Sequence, residues 1–180
     1  MPGGGGANNN SLMSADSPLR LGEPAKRYRI RPARPEDAPA LALVEAMAFD
    51  PGHYGGMMMT RRSFRDHAKC ANALLVAEDL TKGRELAGYA LGMVKQGSHY
   101  VRFASLAVTP KHGGKGAGRM LFEALETFAR KQGYRGVRLE VRADNQRLLE
   151  RYQGLGYTVF AIVEDYYPDG CAAIRLVRDL

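Results

Sequence analysis

A chain of 180 residues is long enough for one domain with a real core and too short for two comfortable ones. Its apolar fraction of 45% fits a soluble globular protein, and no uninterrupted apolar run approaches the ~20 residues that span a bilayer. The net charge of +7 comes from basic residues mixed with acids, with no run of five. Direct nucleic-acid binding is therefore not expected, and a positive cleft for an anionic cofactor or an acidic partner is the sharper reading.

The first 26 residues, dominated by Gly, Asn, Ser and Pro, hold no apolar period and no apolar signal-peptide core. They predict a disordered tail over 1–26, ahead of a single domain over 27–180 in a cytoplasmic protein. "RYRIR" predicts a short strand. "RPEDAPALALVEAMAF" predicts a helix, with Pro35 in its first turn, Glu36 and Asp37 at its positive end, and Leu41, Val44 and Met47 at helical spacing. "GHYGGMMM" reads as a loop whose methionines form core or an apolar lip. "TRRSFRDHAKC" reads as a short helix capped by Thr60. "NALLVAEDLTKGRELAGYALGMV" is two strands joined near Lys82–Gly83, and "HYVRFASLAVTP" a third, broken by Pro110.

A glycine-rich loop follows, then a helix over 119–132 with one apolar stripe, ended by Gly133. "GVRLEVR" is a strand, "NQRLLERYQGLG" a helix, and "YTVFAIVE" and "CAAIRLV" are closing strands. Hairpins interleaved with crossover helices predict an α/β (α+β) fold, with a mixed, mostly antiparallel sheet of about six to seven strands and about four helices. Cys70 and Cys171 are too few for a disulfide scaffold, and with the four histidines they match no metal motif.

From Gly113 to Gly118 the loop reads "GGKGAG", immediately before the helix. Free N–H groups lie at the positive end of a helix dipole, and glycines let a phosphate approach them without a Cβ in the way. Lys115 and Arg119 add positive charge. The loop reads as a pyrophosphate cradle, with a plain glycine turn as the alternative. A nucleoside-triphosphate loop fits less well, since Arg119 and Met120 stand where Lys and a hydroxyl are needed. In "VRLEVR" the period of two puts Val137, Leu139 and Val141 on one face and Arg138, Glu140 and Arg142 on the other. Glu140 reads either as a cross-strand partner of an arginine or as a catalytic carboxylate. Tyr152, four residues after Leu148, shares its inward helical face.

The segments "SLAVTPKHGGKGAGRMLFEALETFARKQG" and "RLEVRADNQRLLERYQGLGY" strongly resemble the GCN5-related N-acetyltransferase superfamily, over roughly Tyr28–Leu180. In its phosphate loop Gly113 stands where Gln or Arg is usual. "LEVRADN", "RYQGLGY" and "YYPDGCAAIRL" resemble, more closely, the ribosomal-protein alanine N-acetyltransferases and related protein N-terminal acetyltransferases. The front segment "AMAFDPGHYGGMMMTRRSF" departs from that group, which usually carries a Trp-Ser pair there.

The resemblance implies a sheet splayed at the cofactor site and acetyl-CoA as co-substrate, with no metal. It assigns pantetheine and the thioester carbonyl to the backbone of Leu106, Ala107 and Val108. It assigns the pyrophosphate to Gly114, Lys115, Gly116, Ala117, Gly118 and Arg119, and a cofactor-arm contact to Asn145. Glu140 becomes the general base, relaying through water, and Tyr152 the general acid. Tyr166 and Tyr167 wall the acceptor entrance. The implied acceptor is a protein N-terminal amine, possibly of a ribosomal protein. A small amine and a non-catalytic acyl-CoA-binding module are the alternatives.

Overall fold

The computed structural model describes residues 27–180, and the expected tail over 1–26 lies outside the described residues. In chain order the elements are β1 (Tyr28–Pro32), α1 (Ala38–Ala48), α2 (Pro51–Tyr54), α3 (Arg61–His67), β2 (Ala73–Asp79), β3 (Glu85–Met93), β4 (Tyr100–Val108), α4 (Ala117–Lys131), β5 (Gly136–Arg142), α5 (Gln146–Gly154), β6 (Thr158–Val163) and β7 (Ala173–Asp179). The seven strands form one open sheet in the order β1-β2-β3-β4-β5-β7-β6. Only β4 and β5 run parallel, as the crossover through α4 requires. This is the mixed α/β sheet expected from the sequence.

Each face of the sheet buries its own cluster. Leu41 and Val44 of α1 and Phe64 of α3 pack on Val76, Tyr89, Leu91 and Ala107. Leu121, Phe122, Leu125 and Ala129 of α4 pack on Val101, Phe103, Val137, Leu139 and Val141 across the other face. At roughly 2 kcal/mol for each large apolar side chain removed from water, these stripes hold the helices to the sheet. Met47, expected on the buried face of α1, is instead 54% exposed. Met57 closes a 3₁₀ turn over Gly55–Met57, and Met58 and Met59 follow half-buried in the expected loop. Thr60 caps α3 as expected, accepting from the Ser63 N–H at 3.2 Å. α4 starts at Ala117, two residues before the apolar stripe suggests, because the fully buried Ala117 already belongs to the core.

The β4–β5 ladder runs only from Tyr100 opposite Gly136 to Phe103 opposite Leu139. Beyond it β4 continues beside β3, and β5 beside β7, without pairing to each other. The cause lies on the far edge of β4. Leu91 faces Ser105 but the next residue, Gly92, faces Phe103, so Ala104 is an extra residue in β4. Such a bulge bends its strand, and it falls where the two strands part.

Candidate active site

A cavity of about 480 Å³ opens at this parting. Its walls come from β3, β4 and β5, from α1 and the segment that follows it, from His67 of α3, from α5 and its cap Asn145, and from the loop between β6 and β7. Sequence-predicted residues Leu106, Glu140, Asn145, Tyr152, Tyr166 and Tyr167 all line it.

Thr109 N–H donates to Ala87 O at 2.9 Å. Because strand residues alternate, Ala107 also turns its backbone groups toward β3, while Leu106 and Val108 turn theirs into the gap. Two backbone edges with no strand partner thus face the space between β4 and β5. The glycine loop continues from that strand. Gly114 and Gly116 sit at φ +69° and +92°, a region that side chains with a Cβ rarely adopt. Gly116 is the N-cap of α4 and supplies no side-chain cap, so the first amides of the helix stay open. Lys115 Nζ donates to Lys111 O at 2.8 Å, and Arg119 pairs with Glu123 at 2.7 Å, both exposed on the surface. Beneath the loop His112 is buried, its Nδ1 3.1 Å from the Tyr28 hydroxyl. Burial pushes the His112 imidazole below its ordinary value.

Glu140 and Tyr152 reach the cavity from opposite faces of the sheet. Glu140 Oε2 accepts from Arg102 Nε at 3.1 Å, and Oε1 lies 3.5 Å from Arg175 Nε. The same Arg102 donates to the Tyr166 hydroxyl at 2.9 Å. Tyr152 is 7% exposed, packed on Phe122 at 5.4 Å and Tyr157 at 5.7 Å between ring centres. Burial pushes its phenol up to about 12. Asn145 caps α5, its Oδ1 accepting from Leu148 N–H at 3.1 Å.

One participant, Arg142, is given no role by the sequence. Arg142, 7% exposed, donates to Asp144 and Asp169, two bonds to each, with Asp169 at 2.8 Å and 3.1 Å. Its guanidinium also lies over the Tyr167 ring at 4.8 Å and donates to His53 O at 3.4 Å. Tyr167 in turn meets Tyr54 edge-on at 5.9 Å. Arg142 thus clasps α2 and the β6–β7 loop together over the cavity mouth, where Phe49, Met57, Met58 and Met59 complete an apolar lip. The polar-face position of Arg142 in "VRLEVR" is the one hint the sequence offers.

Unpaired strand edges, a carboxylate and a phenol thus surround one cavity, and the open amides at the start of α4 follow the end of β4. Among the described residues, no group of three His, Cys, Asp or Glu could hold a metal ion, and no helix is long and apolar enough to cross a membrane.

Comparison with known proteins identifies the family. The acetyltransferase (GNAT) family model matches residues 36–157. The [ribosomal protein bS18]-alanine N-acetyltransferase of Escherichia coli K12 is 33% identical over 89 residues, 49% of this chain and 59% of that protein. An uncharacterized protein of Mycobacterium leprae is 29% identical over 148 residues, which is 80% of this chain but 38% of its own length. The chain therefore matches less than two thirds of these curated relatives. The crystal structure of the E. coli ribosomal-protein-S18-alanine N-acetyltransferase superposes with a TM-score of 0.71 at 25% identity, covering 84% of this chain and 93% of that one. A Salmonella typhimurium putative acetyltransferase, solved with its cofactor acetyl-CoA, superposes at 0.68 with 20% identity, over 85% and 94% of the two chains. The chain belongs to the acetyltransferase (GNAT) family.

Proposed function

We propose that the protein transfers acetyl from acetyl-CoA to the α-amine of a protein N-terminus, by direct attack within the cavity, in the cytoplasm. The observation that carries this reading is that Glu140 and Tyr152 line one cavity from opposite faces of the sheet. Pantetheine would lie along the gap, meeting the outward backbone groups of Leu106 and Val108. Its pyrophosphate would sit on the amides from Gly114 to Arg119, with Ala107 held against β3 behind the strand and Asn145 at the cofactor arm. The residues present suit such an anion, since Gly114 and Gly116 have nothing within 4 Å of an added Cβ position and leave the approach open.

Acetyl transfer needs a neutral amine, a polarised thioester carbonyl and stabilisation of the leaving thiolate. Glu140, fixed by Arg102 and Arg175, faces the acceptor side and takes the amine proton through water. Tyr152 faces the leaving group. A thiol of ordinary pKa near 8.5 is a stronger acid than a phenol at about 12 by roughly 5 kcal/mol. Tyr152 therefore acts as a hydrogen-bond donor that stabilises the thiolate and keeps its own proton, and the thiolate is protonated from water as CoA departs. The α-amine fits this modest base. At a pKa of ~8 about a tenth of it is neutral at pH 7, whereas lysine at ~10.4 carries a deficit of roughly 4–5 kcal/mol. The open apolar mouth between Met57–Met59 and Tyr166–Tyr167 suits a peptide entering end-on, and the relatives that act on ribosomal-protein alanine support the same acceptor class.

The test is CoA release measured with peptides bearing free N-termini against a panel of small amines and amino acids. Peptides are expected to turn over with the higher kcat/KM. Turnover of small amines alone overturns the N-terminal reading, and binding of acetyl-CoA without CoA release for any acceptor makes the protein a binding module.

A further inference from the structure

Behind the acceptor side of the cavity lies a second carboxylate that the mechanism above does not use. Glu45 of α1 is 3% exposed, yet it lines the cavity. Its Oε1 accepts from the Met59 N–H at 2.7 Å, and its Oε2 accepts a short hydrogen bond from the Tyr89 hydroxyl. Among the described residues it forms no ion pair, in contrast to Glu140 with its two arginines. The Tyr89 oxygen lies 2.8 Å from Ser105 Oγ. Tyr89 has one proton, and it is committed to Glu45, so Ser105 must donate to Tyr89. That leaves the lone pairs of Ser105 Oγ free at the cavity wall. Ser105 sits one residue beyond the Ala104 bulge, where β4 has just left β5.

We propose that Ser105, Tyr89 and Glu45 form a proton wire that takes a proton from the acceptor ammonium into the protein interior, in parallel with Glu140. The inference rests on the acetyltransferase reading of this cavity. In the step, an acceptor N–H proton passes to Ser105 Oγ, the Ser105 proton passes to the Tyr89 oxygen, and the Tyr89 proton passes to Glu45 Oε2. The amine becomes neutral and Glu45 becomes a carboxylic acid. No other bond changes, and the reverse sequence returns the proton to water once the product has left. Ser105 touches the acceptor, while Tyr89 and Glu45 act through it. Burial and the neighbouring carboxylate hold the Tyr89 phenol far above its ordinary range, so it relays a proton without ionising. The other titratable groups around the cavity are His67 on α3, Arg102 on β4, Glu140 and Arg142 on β5, and the phenols of Tyr54, Tyr152, Tyr166 and Tyr167. None of them is hydrogen-bonded to Glu45. The His67 Nδ1 is instead engaged by Asn72 Nδ2 at 2.9 Å.

The experiment is a series of acetylation rates from pH 6 to pH 10, using the full chain and the acceptor that turns over fastest in the panel above. In a Glu140→Gln background, Ser105→Ala is expected to lower kcat at pH 7 at least tenfold further. The gap should close toward pH 10, where the amine is already neutral, with the KM for acetyl-CoA unchanged. Ser105→Thr, which keeps the hydroxyl, should track Glu140→Gln alone. Tyr89→Phe should reproduce Ser105→Ala from the other end of the wire, and since Tyr89 is packed in the core, Ser105→Ala stands as the test should that variant misfold. A rate unchanged by Ser105→Ala, or lowered equally at every pH, overturns the wire. A wild type active only on small amines overturns the N-terminal reading while leaving the wire measurable. A wild type that releases CoA with no acceptor overturns both.

Discussion

A single oxygen separates tyrosine from phenylalanine at position 152, and the ring packing against Phe122 and Tyr157 survives its loss. Tyr152→Phe is therefore expected to fold with an unchanged melting temperature and to bind acetyl-CoA normally. Turnover should fall roughly 10²-fold, within the usual range for a hydrogen-bond donor that stabilises developing charge. Glu140→Gln should cost most at low pH and least at high pH, so rates measured across pH separate the two residues. At Gly116 the argument is steric and electrostatic. An aspartate there would be strained at φ +92° and would place a negative charge at the opening of α4. Gly116→Asp should weaken CoA at least tenfold in calorimetry while the fold persists. At this scale the sequence is legible wherever covalent geometry sets the pattern. Alternation in "VRLEVR" puts Glu140 on the polar face, and the structure finds Val137, Leu139 and Val141 in the core opposite it. Alternation says nothing about which strands lie alongside. Arg102 and Arg175 come from β4 and β7, brought beside Glu140 by a sheet order that local pattern does not encode.

The strongly periodic elements are the ones the sequence announces. α4 has a full apolar stripe over four turns, and its boundaries come out within two residues. α2 has four residues, too short for any period to register, and it is held from outside by the Arg142 clasp. That clasp has a definite acid sensitivity. Hydrogen bonds from Arg142 hold Asp169 down to about 2 from an ordinary 3.8. A carboxylate whose folded pKa is lowered lends stability that is fully present above its unfolded pKa and disappears as pH falls through the folded one. The contribution of Asp169 is thus complete above about pH 4 and lost between there and about pH 2. Asp169→Asn should lower the melting temperature at pH 7, and its curve should meet that of the wild type near pH 2. Because the same loop carries Tyr166 and Tyr167, the variant should also raise the acceptor KM more than the acetyl-CoA KM. Equal shifts in both constants would mean that the clasp does not shape the acceptor mouth.

For the whole molecule, the succession of hairpins and crossover helices points to a mixed sheet: the hairpin connections pair antiparallel and the crossover through α4 gives a parallel pair, whereas β1 and β2, also joined through helices, pair antiparallel. The parting of β4 from β5 is expected only through family resemblance. Its physical origin, the extra residue Ala104, lies in "RFASLAV", which has neither glycine nor proline to mark a bulge. The same parting leaves the seven-stranded sheet as two blocks, β1 to β4 and β5 to β7, joined by a ladder of only four residue pairs. A ligand laid along the gap would act as a temporary eighth strand and mend that seam. Amide hydrogen exchange makes the consequence visible. In the free protein the amides of Leu106 and Val108 should exchange orders of magnitude faster than those of Val76 or Ala77 in the interior of β2. Saturating CoA should slow them, and should also slow exchange at the β4–β5 ladder itself, since a ligand that binds only the closed arrangement stabilises it by mass action. With the gap unfilled, the protein would then open along this line before it unfolds anywhere else in the sheet.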